Sequence, residues 1–184
     1  MLKGKTVVLG VTGCIAAYKA CEIVSSLKKK GATVIVIMTP HSTEFVQPLS
    51  FETLSGNRVI TDLFDRDFDF EVEHVALAKR ADVFVVAPAT ANTIGKIANG
   101  IADDMLTTTI MACKAPKIIC PAMNTNMYEN ENTTENIARL KKQGYKIIEP
   151  ISGRLACGDV GKGKMAEPET IVKAIEDILT PNQD

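Results

Sequence analysis

The sequence predicts an α/β protein, a single doubly wound parallel sheet with helices on both faces, in a three-layer α/β/α arrangement of flavodoxin-like or Rossmann-like order. Three observations predict it. Short aliphatic and β-branched runs recur along the chain, each followed by a segment with helical apolar spacing. The runs are apolar throughout rather than alternating, which suits strands covered on both faces. Polar stretches rich in glycine, threonine or asparagine follow the runs, and open α/β sheets bind ligands at the carboxyl ends of their strands.

Residues 6–12 (TVVLGVT) form the first expected strand. A helix follows, with Ala16, Ala20, Ile23, Val24 and Leu27 at helical spacing, cationic Lys28, Lys29 and Lys30 in its last turn and Gly31 as its stop. A second strand over 32–38 leads to short helices around 41–46 and 49–55. A helix over 74–81 precedes the third strand, 82–88. Helices are expected over 90–100 and 103–113, a fourth strand and its exit over 116–123, a helix over 133–144 ended by Gly144, and a fifth strand over 145–150. A glycine-rich loop spans 152–165, and Pro168 begins a last helix over 168–179. With no linker or repeat, residues 1–184 read as one domain.

The composition excludes several classes. A net charge of −1 gives no electrostatic case for nucleic acid or an anionic membrane, and no Trp with only 5% aromatics argues against a base-stacking sheet. No stretch approaches the ~20 apolar residues of a membrane span. Five cysteines (14, 21, 113, 120 and 157) form no CxxC pair and only two histidines are present, so neither a disulfide framework nor a metal site is expected, and a cytoplasmic location is. The N-terminal MLKGKTVVLGVTGC has the outline of a lipoprotein signal, but its apolar run is short and reads as the first strand.

The strand exits carry the candidate chemistry. In GVTGCIAA (10–17), Thr12 replaces the second glycine of a dinucleotide fingerprint, and the second strand ends in Thr39-Pro40 rather than an acid. A dinucleotide is disfavoured. A mononucleotide phosphate on the backbone of Gly13, Cys14 and Ile15, near the hydroxyls of Thr39 and Ser42, remains open, as does a plain structural turn. At the third exit Pro88, Thr90, Asn92 and Thr93 offer polar groups to the edge of a flat heteroaromatic ring, and Ala89 and Ala91 allow close approach; Thr90 reads equally as a helix N-cap. Asn124 follows the fourth strand, where its amide could hold a carboxylate, while Asn126, Asn130 and Asn132 are assigned to turns. GRLACGDVGKGKM (153–165) imitates a phosphate-binding Walker loop, but Met165 stands where Ser or Thr must bind magnesium, so ATP binding is rejected. What remains is a lid carrying Cys157, with Arg154, Lys162 and Lys164 near enough in sequence to lower its pKa, or a flexible surface loop. A lone histidine such as His74 is more often structural than catalytic, and His41 is structural or cofactor-adjacent.

Taken together, VTGCIAAYKA (11–20), HVALAKRAD (74–82), APATANTIGKIANGIADD (87–104), PAMNTNM (121–127) and GRLACGDVGKGKMAE (153–167) resemble the flavin-dependent cysteine decarboxylases over nearly the whole chain. The resemblance implies FMN, with its phosphate at Gly13, Cys14, Ile15, Thr39 and Ser42 and its ring at Pro88, Thr90, Ala91, Asn92, Thr93 and Ala122. It implies His74 as base, Asn124 as carboxylate ligand and Cys157 as acid, with Asn124, Met127, Ala156 and Cys157 around the substrate. The implied reaction takes phosphopantothenoylcysteine to phosphopantetheine in coenzyme A biosynthesis, through flavin oxidation to a thioaldehyde, CO₂ loss and re-reduction, with no net redox change. It also implies a homotrimer, or trimers assembled into a dodecamer, with sites between subunits, a free-standing form, and a separate phosphopantothenoylcysteine synthetase as partner. Peptidyl-cysteine decarboxylation, flavin prenyl transfer and a non-enzymatic partner-binding role are the alternatives within the same fold.

Overall fold

The computed structural model describes residues 1–64, 73–154, 158 and 160–180. Five parallel strands form the main sheet: β1 (Thr6–Val11), β2 (Thr33–Met38), β3 (Val83–Ala89), β4 (Lys117–Pro121) and β5 (Lys146–Ile147), in the order β2-β1-β3-β4-β5. This is the flavodoxin-like order, whose chain reverses direction across the sheet between β1 and β3. The pairing runs Val8–Ile35 on one side of β1 and Val8–Phe84 on the other.

Helices cover both faces because the strands are apolar on both. On one face Val7, Leu9 and Val11 pack with Ile23, Val24 and Leu27 of α1 (Ala17–Lys29), Phe51 of α2 (Pro48–Ser55), and Ile171 and Ile175 of α8 (Pro168–Leu179). On the other, Val8, Phe84 and Val86 pack with Leu77 of α3 (Glu73–Arg80), Ile94 of α4 (Ala91–Ala98), Leu106 and Ile110 of α5 (Met105–Ala112), Tyr128 of α6 (Thr125–Glu129) and Leu140 of α7 (Glu131–Lys142). A buried Phe84 cut to Ala costs about 3–5 kcal/mol in such a core. Among the described residues, no helix is long and apolar enough to cross a membrane.

Three expectations need correction. The segment 152–165 is not an open loop: β6 (Ile151–Arg154) and β7 (Val160–Lys164) pair as an antiparallel hairpin. Glycines at 153, 161 and 163 hide the strand alternation, since they show no side chain to either face. The fifth strand is shorter than expected, because after Ile148 bonds back to Ile119 the chain diverts Glu149 to side-chain partners. The asparagine-rich stretch after β4 holds a helix that the sequence concealed. Asn124 caps α6 by accepting the N–H of Asn126 at 2.8 Å, and Asn130 caps α7 through Asn132 at 3.0 Å, so α7 starts before 133.

Candidate functional site

Three loops meet at the carboxyl edge of β1, β2 and β3. Thr12 Oγ1 donates to the Pro88 carbonyl at 2.8 Å and accepts the N–H of Thr90 at 3.1 Å, which bridges the β1 and β3 exits across the point of reversal. Thr90 in turn caps α4, accepting from Thr93 N at 3.3 Å, as its N-cap reading expects. The β1 exit touches the β2 exit at Gly13, where an added Cβ would lie 2.7 Å from His41 Cβ and 3.3 Å from its backbone carbon. A glycine is therefore required for this approach.

Two details of the expected phosphate cradle change. The helix α1 begins at Ala17, and the Cys14 N–H is already donated to Thr12 O at 2.8 Å, which removes one of three backbone donors. Ser42 is fully buried, and its hydroxyl donates to Thr39 O at 2.7 Å, so contact with a ligand would need that hydroxyl to turn. Burial pushes the Cys14 thiol above its ordinary pKa, against the lowering effect of the Ala16 N–H.

Beside this edge lies a cavity of about 540 Å³. Cys14, Ile15, Tyr18 and Lys19 form one wall, Ala122, Met123 and Asn124 a second, and Arg154, Gly163, Lys164 and Met165 of the hairpin segment a third. It brings together the predicted Cys14, Ile15, Ala122 and Asn124. Thr39, Ser42, Pro88, Thr90, Ala91, Asn92 and Thr93 stand on the neighbouring strand exits and are not part of its lining. Met127 is 49% exposed on α6, outside the cavity. Ala156 and Cys157 lie outside the described residues.

His74 is half-buried at the start of α3, on the opposite face of the sheet from α1. Because α3 leads into β3, its first turn stands at the same carboxyl edge as the cavity, but His74 does not line it. Among the described residues, the cavity lining holds Asn124 and not His74.

Sequence reasoning missed Lys19 as a cavity residue. Lys19 is only 9% exposed and pairs with Glu167 at 2.6 Å, and Lys164 pairs with the other Glu167 oxygen at 3.1 Å. The signal was a lysine on the otherwise apolar face of α1. Lys162, expected near Cys157, turns instead to Glu149 at 3.2 Å and lies 5.3 Å from the Tyr128 ring centre. Glu149 also accepts from Lys141 and Tyr128. Burial alone would raise its pKa, but these three donors hold it at about 2. The network ties the hairpin to α6 and α7, and Met123 N–H reinforces it by donating to Gly163 O at 3.0 Å.

The cavity, the Gly13 approach and the bridged switch point fit a flavin mononucleotide: a small-residue entry for a phosphate, hydroxyls and an amide beside it, and no acid where a second ribose would sit. Comparison with known proteins agrees. The Flavoprotein family model matches residues 1–180. A coenzyme A biosynthesis bifunctional protein CoaBC of Bacillus subtilis is 52% identical over 176 residues, 96% of this chain and 43% of that protein. The chain thus spans less than half the length of such bifunctional relatives. A Streptococcus mutans protein named probable phosphopantothenoylcysteine decarboxylase is 47% identical over 177 residues, covering 95% of this chain and 99% of that one. Among solved structures, a cysteine-to-serine variant of a PPC decarboxylase complexed with pantothenoylaminoethenethiol superposes with a TM-score of 0.82 at 35% identity, over 94% of this chain and 96% of that one. The chain belongs to the Flavoprotein family, and the two curated relatives above are named for coenzyme A biosynthesis and for phosphopantothenoylcysteine decarboxylation.

Proposed function

We propose that this chain decarboxylates phosphopantothenoylcysteine to phosphopantetheine with FMN as its cofactor. The observation that carries the reading is the cavity next to the β1/β3 switch point, between the β1 and β4 exits, which brings Asn124 beside the small-residue first loop. Gly13, Ile15 and Thr39 would hold the FMN phosphate, and Thr90 to Thr93 with Ala122 the ring. Bound FMN would supply a reversible two-electron acceptor for oxidation of the substrate's CH₂–SH end to a thioaldehyde, which is the sink for the electrons that CO₂ leaves behind, and return of the two electrons leaves no net redox change.

The chain's own groups do the rest. The Asn124 side chain holds the substrate carboxylate in register. His74 takes the thiol proton. Cys157 protonates the carbon once CO₂ has gone. His74 lies outside the cavity that Asn124 lines, so a homotrimer, or a dodecamer of trimers, would bring the pair together between subunits. The fused relatives support a separate phosphopantothenoylcysteine synthetase as partner, and a cytoplasmic location suits the cysteine usage.

The test is direct. Purified protein should release FMN on heating, identified by chromatography, and convert phosphopantothenoylcysteine to phosphopantetheine by mass spectrometry. Released FAD, or an enethiol as the only product, would overturn the reading, the second in favour of peptidyl-cysteine decarboxylation.

A further inference from the structure

Among the described residues, the cavity lining contains three cations, Lys19, Arg154 and Lys164, and no carboxylate, in a chain whose net charge is −1. The acid attached to them, among the described residues, is Glu167, which stands behind the wall. Its two oxygens hold Lys19 at 2.6 Å and Lys164 at 3.1 Å. Glu167 occupies the N-cap position of α8 yet makes no side-chain cap bond. Its carboxylate is committed to the lysines instead, and those bonds, Lys19 first, hold its pKa below the ordinary value. Lys19 itself is nearly buried, so its ammonium is fixed in place rather than waving in solvent.

We infer that Arg154, Lys164 and Lys19 form a subsite for a phosphate monoester, the terminal phosphate of the substrate, with Glu167 as the positioning residue that fixes the two lysines. This rests on the decarboxylase reading above. Charge matching favours a phosphate over a second carboxylate. Three cations less one shared carboxylate leave two positive charges, and a phosphate monoester carries about −1.5 to −2 at neutral pH. A carboxylate would neutralise only half of that. The placement allows the cations to converge: Arg154 pairs with Val160 at the turn end of the hairpin and Lys164 with Ile151 at its open end, but the Lys164 side chain runs back along Gly153, its Cδ 3.7 Å from a Cβ built there, while Asn124, which takes the substrate's other anion, lies on the β4 exit. Arginine can bind a phosphate through two donors, which adds direction to the attraction.

The FMN phosphate is the other source of the same chemistry, and the test separates the two. Calorimetry on the FMN-loaded protein should show phosphopantetheine binding at least about tenfold tighter than pantetheine, since a charge-assisted contact is worth roughly that factor. Arg154→Ala and Lys164→Gln should each cut that ratio several-fold, with pantetheine affinity and flavin content unchanged, and Lys164→Arg should restore it. Equal affinity for the two ligands in the unaltered protein, equal loss of both in the variants, or loss of flavin from the variants would overturn the subsite. The decarboxylase reading fails separately, through absent CO₂ release: phosphate preference without CO₂ would keep the subsite and remove the reaction.

Discussion

Thr12 Oγ1 donates to the Pro88 carbonyl at 2.8 Å, joining two strand exits that lie 76 residues apart in the sequence. The same oxygen accepts the Thr90 N–H, so one side chain satisfies two backbone groups at the switch point. Thr12→Val keeps the shape and removes both bonds. It should cost about 1–3 kcal/mol for groups left unpaired, read as a lower denaturation midpoint, and should loosen flavin retention. An unchanged midpoint with full flavin content would show the bridge to be incidental.

Gly163 governs the docking of the hairpin. An added Cβ would stand 2.2 Å from the Met123 carbonyl oxygen, and the residue's φ of +155° is unusual for any side chain. Backbone cannot yield as a flexible side chain can. Gly163→Ala should therefore break the Met123–Gly163 hydrogen bond and free the hairpin from the β4 exit. Faster proteolysis between residues 151 and 164 and loss of substrate binding, with the main sheet intact by circular dichroism, are the expected results. Protease resistance equal to the unaltered protein would contradict this.

Glu149 makes the hairpin's anchorage sensitive to acid. Its carboxyl is held at about 2 against an ordinary 4.5, so the folded state prefers the charged form. The stabilisation is fully present above pH 4.5 and is lost as pH falls toward 2. The side chain is 42% exposed, so solvent screening reduces the effect. Glu149→Gln should be less stable than the unaltered protein at pH 7, and the gap should close between pH 4.5 and 2. A gap that stays constant across that window would remove Glu149 from the account.

His74 and Asn124 test the subunit arrangement. His74→Asn and Asn124→Asp should each be inactive alone. Oligomers reassembled from a mixture of the two should regain activity, because some sites then pair an intact His74 with an intact Asn124. No recovery in verified mixed oligomers would put both residues in one chain's site.

Much of this was legible in the sequence. The runs at 6–12, 32–38 and 82–88 are buried on both faces, and a pattern so strongly apolar leaves little else for them to be. The helix over 168–179 was visible from Pro168 and its spacing. The hairpin was not, because its glycines erase the period of two and its partner for Gly163 is a backbone atom 40 residues upstream. Nor was the role of Lys19 as an inward-facing cation, since its partner Glu167 is 148 residues away. A sequence shows residue types at a strand exit; it does not show which distant chain segment closes over them.

The central claim is that Asn124 holds a carboxylate that this chain removes. The most direct measurement is single-turnover CO₂ release from phosphopantothenoylcysteine by the unaltered protein and by Asn124→Asp, matched for flavin content. The account predicts release by the first and a loss of about 10²-fold or more in the second, since a misplaced reacting group costs that much. No CO₂ from the unaltered protein, or near-normal release by Asn124→Asp, would contradict it.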